Sequence, residues 1–253
     1  MKKRIIPIML MGSGGQIVTS KKFNPWRTVG VIMQSLRLHD SRGADEIIIL
    51  DVNASKSANS IDLRLLHKIS QNLKIPLTVG GGISTLDIAR DYISSGADKV
   101  SLCSACIDNL SLVESISESL GAQAVVGSLN ISFIDDVAFL YDYRTSSSLD
   151  IKLTDHIPKL IKAGVGEIMI TSVDKDGSLS GFDLRILNLL DLIKPSVPVI
   201  IAGGGGSPEH FVEVLKHDYL MAAAGGSIFA FTENTPSTLR KFCLNSCISM
   251  KRH

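Results

Sequence analysis

Eight short apolar runs, each followed by an amphipathic stretch, constrain this chain more than any other feature of its sequence. The runs are Arg4–Leu10, Glu46–Asp51, Leu77–Val79, Lys99–Leu102, Ala124–Leu129, Glu167–Thr171, Pro198–Ala202 and Leu220–Ala224. They are rich in Val and Ile, and several are apolar throughout, as strands covered on both faces are. Between them, residues 29–41, 61–73, 85–95, 108–120, 154–163, 184–194 and 207–217 carry apolar side chains at helical spacing, and a last such stretch covers 235–247. Eight strand–helix units in 253 residues predict an α/β fold of the (β/α)8 TIM-barrel type, with an open doubly wound sheet as the alternative. No linker or low-complexity tract divides the chain, so one domain is expected over 1–253. The longest non-helical connection, 131–152, contains VAFLYDY and predicts a hairpin over the barrel mouth.

Composition narrows the function. The 26 basic and 25 acidic side chains leave a net charge of +1, which gives no global pull toward nucleic acid or an anionic membrane. A hydrophobic content of 45% excludes the disordered and fibrous classes. No apolar run approaches the roughly 20 residues of a spanning helix. The opening MKKRIIPIML reads as a first strand rather than a signal peptide. Cys103, Cys106, Cys243 and Cys247 are spaced CxxC and CxxxC, but the expectation is four reduced thiols in a cytoplasmic protein. The histidines, at 39, 67, 156, 210, 217 and 253, form no metal-spaced cluster, so neither metal nor cofactor is expected.

The two halves are alike. Gly80-Gly81-Gly82-Ile83-Ser84 follows the third run and Gly203-Gly204-Gly205-Gly206-Ser207 the seventh, an offset of 123 residues. Ala44-Asp45-Glu46-Ile47-Ile48 opens the second run and Val165-Gly166-Glu167-Ile168-Met169 the sixth, an offset of 121. Two repeats at nearly one offset suggest a duplicated half-barrel with equivalent ligand subsites. Glycines at strand ends expose backbone N–H groups, and a following helix favours an anion there. Gly81-Gly82, Gly204-Gly205 with the adjoining Gly203, and Gly225-Gly226-Ser227, with Asp176-Gly177 beside the last two, are therefore candidate phosphate sites; tight turns are the alternative. Two facing subsites suggest a long ligand with a phosphate at each end.

Active sites of this fold sit at strand C-termini, where the ionisable residues are Asp51, Asp174 and Asp176. Asp51 and Asp174 are candidates for proton transfer, with turn capping as the alternative. Asn130 ends the fifth run and can hydrogen-bond but not shuttle a proton. At the opposite strand ends stand Arg4, Glu46, Lys99 and Glu167. Pointing inward, they would form a ring of two cations and two anions, a closable polar port; solvated strand-end charges are the alternative. Ser101, Ser128 and Thr171 would then lie deeper on the axis.

KRIIP at 3–7, EIIILDVNAS at 46–55, TVGGGI at 78–83, GADKVSL at 96–102, QAVV at 123–126, GEIMITSVDKDG at 166–177 and AGGGGSPEHF at 202–211 together resemble the HisF family, the cyclase subunits of imidazole glycerol phosphate synthase. The resemblance runs from about Lys3 to Leu244. It implies a barrel with two phosphate sites at its top. Ammonia from a glutaminase (HisH-like) partner, in a heterodimer, would enter at the bottom. It would be added to a ribulosyl-phosphate aminoimidazole-carboxamide nucleotide, giving imidazole glycerol phosphate and the carboxamide ribotide of histidine biosynthesis. Gly82, Ser104, Asp176, Gly177, Gly204 and Ser227 match the family's phosphate positions, and Cys103 stands where the family has Asn. Arg4, Glu46, Lys99 and Glu167 match its port, Asp98 its partner-facing edge, and Asp51 and Thr171 also match.

The two catalytic aspartates of the family are not matched. The position on the first strand is assigned to Met11, with Leu10 as the alternative, and that on the fifth is Asn130. If both Arg4 and Met11 face inward, the first strand needs a bulge. Thr19 takes the place of a Lys. Each lost proton-transfer group costs about 10²–10⁴-fold. The combination resembles cyclase-like paralogues of surface-polysaccharide pathways, which work with a glutaminase and a sugar amidotransferase. A related phosphoribosyl isomerase fits less well, since it too uses two carboxylates at these strand ends.

Overall fold

The computed structural model describes residues 2–54 and 60–251; Ser55, at the end of the EIIILDVNAS segment, and His253 lie outside them. The described residues hold twelve strands in one sheet. Eight are parallel: β1 (Arg4–Met11), β4 (Ile47–Asp51), β5 (Leu77–Gly80), β6 (Lys99–Leu102), β7 (Val125–Ile134), β10 (Glu167–Ser172), β11 (Val199–Ala202) and β12 (Leu220–Gly225). β12 pairs with β1 and β10 with β7, so the sheet closes on itself as a (β/α)8 barrel. The remaining four, β2 (Gln16–Thr19), β3 (Arg27–Val31), β8 (Val137–Asp142) and β9 (Ser147–Lys152), are antiparallel excursions after β1 and β7.

The expected hairpin over 131–152 is present, and β7 runs on to Ile134 to pair with β8. The matching hairpin of the first half, β2–β3, was not expected. Its strands have only four and five residues, too short for a period-two signal, and follow a turn in which Gly14 and Gly15 both have positive φ. The first and fifth barrel strands thus carry the same excursion, which extends the half-barrel likeness. The tips meet over the mouth: Phe23 stacks on Trp26 (centroids 6.4 Å) and meets Tyr141 of β8 edge-on (6.2 Å).

Strand alternation divides the core in two. Ile6, Ile48, Val126, Met169, Ile200, Ala202, Ala222 and Ala224 pack together inside the barrel, with Ile8 and Leu50 against them. Ile5, Met9, Met11, Ile47 and Ile49 belong to the larger cluster between barrel and helices. β1 carries no register shift. Arg4, Ile6, Ile8 and Leu10 therefore share the inner face, Met11 faces away from it, and β1 needs no bulge. Among the described residues no helix is long and apolar enough to cross a membrane.

Candidate functional site

At the strand N-termini the four charges close a ring. Arg4 Nη1 donates to Glu46 Oε2 (2.6 Å) and Nη2 to Glu167 Oε1. Lys99 Nζ bridges the same carboxylates, at 3.1 Å to Glu46 and 2.9 Å to Glu167. Thr78 Oγ1 adds a bond to Glu46 Oε1 at 2.7 Å. The carboxylates are nearly out of solvent, at 3% and 8% side-chain exposure, so they are not free strand-end charges. Burial alone would raise the Glu46 carboxyl, but Lys99 and Arg4 outweigh it and hold it below the ordinary range. At the same end, the Asp98 carboxylate accepts the Leu77 N–H (2.8 Å), which orients it beside the start of β5.

The other end opens into a cavity of about 380 Å³. Ser101, Ser128 and Thr171 lie on its wall, with Asp51, Asn130 and both glycine turns. The apolar layer of Ile6, Ile48, Val126, Met169, Ile200 and Ala222 separates this cavity from the charged ring. Ser101 Oγ is buried without a hydrogen-bond partner, two residues along β6 from Lys99 and paired in register with Val126 of that layer.

The first glycine turn is tightly built. Gly81 has φ +120°, and a Cβ there would lie 2.8 Å from both Cβ and backbone O of Asp51. Tyr92 OH holds the turn by donating to Gly81 O (2.8 Å) while accepting the Ile61 N–H (2.7 Å). Gly82, Cys103 and Ser104 complete this side of the wall. Ser104 Oγ is buried and has no hydrogen-bond partner. Cys103 is a poorer donor than an amide: burial pushes its thiol up to about 12, and Asn130 Nδ2 lies 3.5 Å from its sulfur. The second turn, facing the first, consists of Gly203 (φ +87°, a Cβ 2.6 Å from Ser172 O) and Gly204, with Gly177, Gly226 and Ser227 beside it. Ser227 Oγ and Thr19 Oγ1 are 3.2 Å apart. Burial pushes the Asp176 carboxyl up to about 6, against the Phe23 backbone N–H that favours its ionised form.

Two expected catalytic positions move. Met11 is 4% exposed and packed in the outer cluster, because it has the parity of Ile5 and Met9; the cavity wall carries Leu10 instead. Asp174 is not on the wall: its Oδ2 accepts the Phe133 N–H (3.1 Å), fastening the end of β7. Asp51 is on the wall, but Oδ1 caps the following turn, accepting N–H from Asn53 (2.8 Å) and Ala54 (3.0 Å). Phe23, Trp26, His39 and Phe229 also line the cavity. Reading the sequence missed them because three lie on the hairpin and helix after β1 whose course over the mouth was not anticipated.

The chain matches the family described as histidine biosynthesis protein over residues 4–235. Among curated proteins it is 32% identical over 254 residues to the imidazole glycerol phosphate synthase subunit HisF of Staphylococcus carnosus, covering 100% of this chain and 99% of that one. It is 35% identical to the subunit of the same name from Prosthecochloris aestuarii, over 91% of each chain. A third relative, named putative imidazole glycerol phosphate synthase subunit hisF2, from Campylobacter jejuni, is 34% identical over 95% of each. With a closed eight-stranded barrel and similarity along its whole length, the chain belongs to the HisF family of histidine biosynthesis proteins.

Proposed function

We propose that this chain is the acceptor-binding subunit of a glutamine amidotransferase complex of the imidazole glycerol phosphate synthase type. The observation that carries the reading is the pairing of a buried four-charge ring at one barrel end with a cavity flanked by two glycine turns at the other. A glutaminase subunit docks at the strand N-termini around Asp98, in a heterodimer. Ammonia passes the ring when Lys99 swings aside, then steps along Ser101, Ser128 and Thr171. The acceptor is a small molecule with a phosphate at each end. One phosphate is held by Gly81, Gly82, Cys103 and Ser104, the other by Asp176, Gly177, Gly203, Gly204, Gly226 and Ser227. The single barrel is the working unit, in the cytoplasm. In histidine biosynthesis the acceptor is the ribulosyl-phosphate aminoimidazole-carboxamide nucleotide, and the relatives' names support that assignment.

A second reading is favoured by Leu10 and Asn130. Cyclisation needs proton transfer on two sides of the ligand, and an alkyl group and an amide supply none. The same architecture would then deliver ammonia without cyclising, for a sugar amidotransferase of surface-polysaccharide synthesis. One assay separates the two: turnover of the nucleotide in high ammonium salt, with no glutaminase. A rate on the order of 1 per second establishes the cyclase, with Asp51 the first residue to mutate. Near-zero turnover that the double change Leu10→Asp and Asn130→Asp raises by about 10²-fold or more establishes the non-cyclising subunit. Failure to co-elute with any glutaminase of its own genome would sink both.

A further inference from the structure

Cys103 follows the last residue of β6 and precedes the short helix Ser104–Asp108; Cys106 lies within that helix. Both are free thiols, in different surroundings. Cys103 is half-buried on the cavity wall, with Asn130 Nδ2 3.5 Å from its sulfur. Cys106 is fully buried in the outer cluster, and its thiol donates to Leu102 O (3.0 Å). The backbone joins them: Cys106 N–H donates to Cys103 O (3.0 Å), a turn that keeps the two Cα atoms within about 7 Å. A disulfide spans Cα separations of about 4.4–6.8 Å, with the Cβ atoms about 3.5–4.5 Å apart. Residues three apart on a helix hold their Cβ atoms at about 5–6 Å. A small tightening of the turn therefore brings the pair to bonding distance, with only Ser104 and Ala105 between them.

The two ends of this turn are not equally free. Cys106 is fixed by burial and by the His156 ring, whose Nε2 donates to Cys106 O (2.7 Å). Cys103 and Ser104 border the cavity. Tightening thus moves Cys103 and Ser104, which form part of the first glycine-turn wall. Burial raises both thiols, Cys103 to about 12. Neither is a thiolate near pH 7. The reduced pair is therefore slow to react, and it gains none of the stabilisation that an ionised thiol gives a dithiol over its disulfide.

We propose that Cys103 and Cys106 are a reversible redox pair whose disulfide displaces Cys103 and Ser104 and weakens phosphate binding at the first glycine turn. The oxidant is a small organic disulfide. The Cys103 sulfur attacks it and expels one small thiol; the Cys106 sulfur then attacks the Cys103 sulfur of the mixed disulfide and expels the second. Each protein S–H proton ends on a departing thiol, so two protein thiols are oxidised and one small disulfide is reduced to two thiols. The effect on binding rests on a phosphate at this turn; the bond itself does not.

Trypsin leaves both cysteines on one peptide, Val100–Arg144, because no Lys or Arg lies between Lys99 and Arg144. After treatment with 2-hydroxyethyl disulfide this peptide should be lighter by two hydrogen atoms and carry no adduct, and dithiothreitol should reverse the change. Cys106→Ala, which removes the second sulfur, should instead hold the adduct on Cys103. Titration calorimetry with inorganic phosphate should show binding at least tenfold weaker at one of two sites in the oxidised protein. A peptide that keeps both thiols, or a stable adduct in the unaltered protein, overturns the proposal. If the bond forms and phosphate binds at both sites as before, the switch is wrong and the phosphate reading stands. If the reduced protein binds no phosphate, the switch and the phosphate reading fall together, and the peptide mass shows separately whether the bond forms.

Discussion

The charged ring can be tested by cancelling its charges one at a time and then in balance. Two cations and two anions sum to zero, and each cation touches both anions. Glu46→Gln leaves Arg4 and Lys99 sharing Glu167, one uncompensated positive charge in the barrel. Lys99→Met leaves one uncompensated negative charge. Removing one partner of a buried pair costs about 3–5 kcal/mol. The lower end applies, because the Arg4 and Lys99 side chains keep 16% and 19% exposure and some solvent screening. Each single variant should therefore lose about 3 kcal/mol, a fall in Tm of about 6–12 °C at this chain length. The double variant restores neutrality and keeps the Arg4–Glu167 pair, so it should cost little more than either single one, a coupling of about 3 kcal/mol. Thermal and urea unfolding followed by circular dichroism supply the cycle. Strict additivity, or single losses below about 1 kcal/mol, would show that the charges are solvated independently and that the port is not closed.

Three further outcomes follow from the same geometry. The Asp176 carboxyl, raised from 3.8 to about 6 by burial, makes folding favour its protonated form. That contribution is complete below about pH 4 and lost as pH rises through 6, so Asp176→Asn should stabilise the protein by up to about 3 kcal/mol at pH 7 and by nothing near pH 4; a gain equal at both pH values would refute the assignment. Met11→Asp should destabilise severely, by about 3 kcal/mol or more, because it buries a carboxylate in the outer core, whereas Leu10→Asp should be tolerated at the open cavity; equal urea midpoints would reverse the face assigned to β1. Gly81→Ala should cost about 1–3 kcal/mol through its positive φ and the Asp51 backbone beside it, and should weaken phosphate binding measured by calorimetry; unchanged binding would mean that this turn is not a phosphate cradle.

Legibility followed the physics of each region. The barrel strands were readable because a strand covered on both faces is a continuous apolar run, and Lys99–Leu102 is found with the bounds expected. The charged ring was readable because Arg4, Glu46, Lys99 and Glu167 all stand at strand starts, where a short side-chain parity argument suffices. That parity also points from Arg4 to Ile6, Ile8 and Leu10, and so to Leu10 rather than Met11 at the mouth. The mouth was harder. Its wall is assembled from Trp26, His39 and Phe229, residues brought together only when the β2–β3 hairpin and the last short helix close over the barrel. Asp174 could be read as acid or cap, and only the Phe133 N–H decides.

The apolar layer between ring and mouth gives this division a consequence. Ile6, Ile48, Val126, Met169, Ile200 and Ala222 pack across the barrel, so no described side-chain hydrogen bond links the charges below to Asp51, Asn130 or Thr171 above. Substitutions separated by such a layer act independently unless they share partners. A chain can therefore exchange acids for Leu10 and Asn130 at the mouth while its lower end keeps the arrangement proposed to receive ammonia. Under the proposed function, the ring bears on the source of the nitrogen and the mouth on what accepts it.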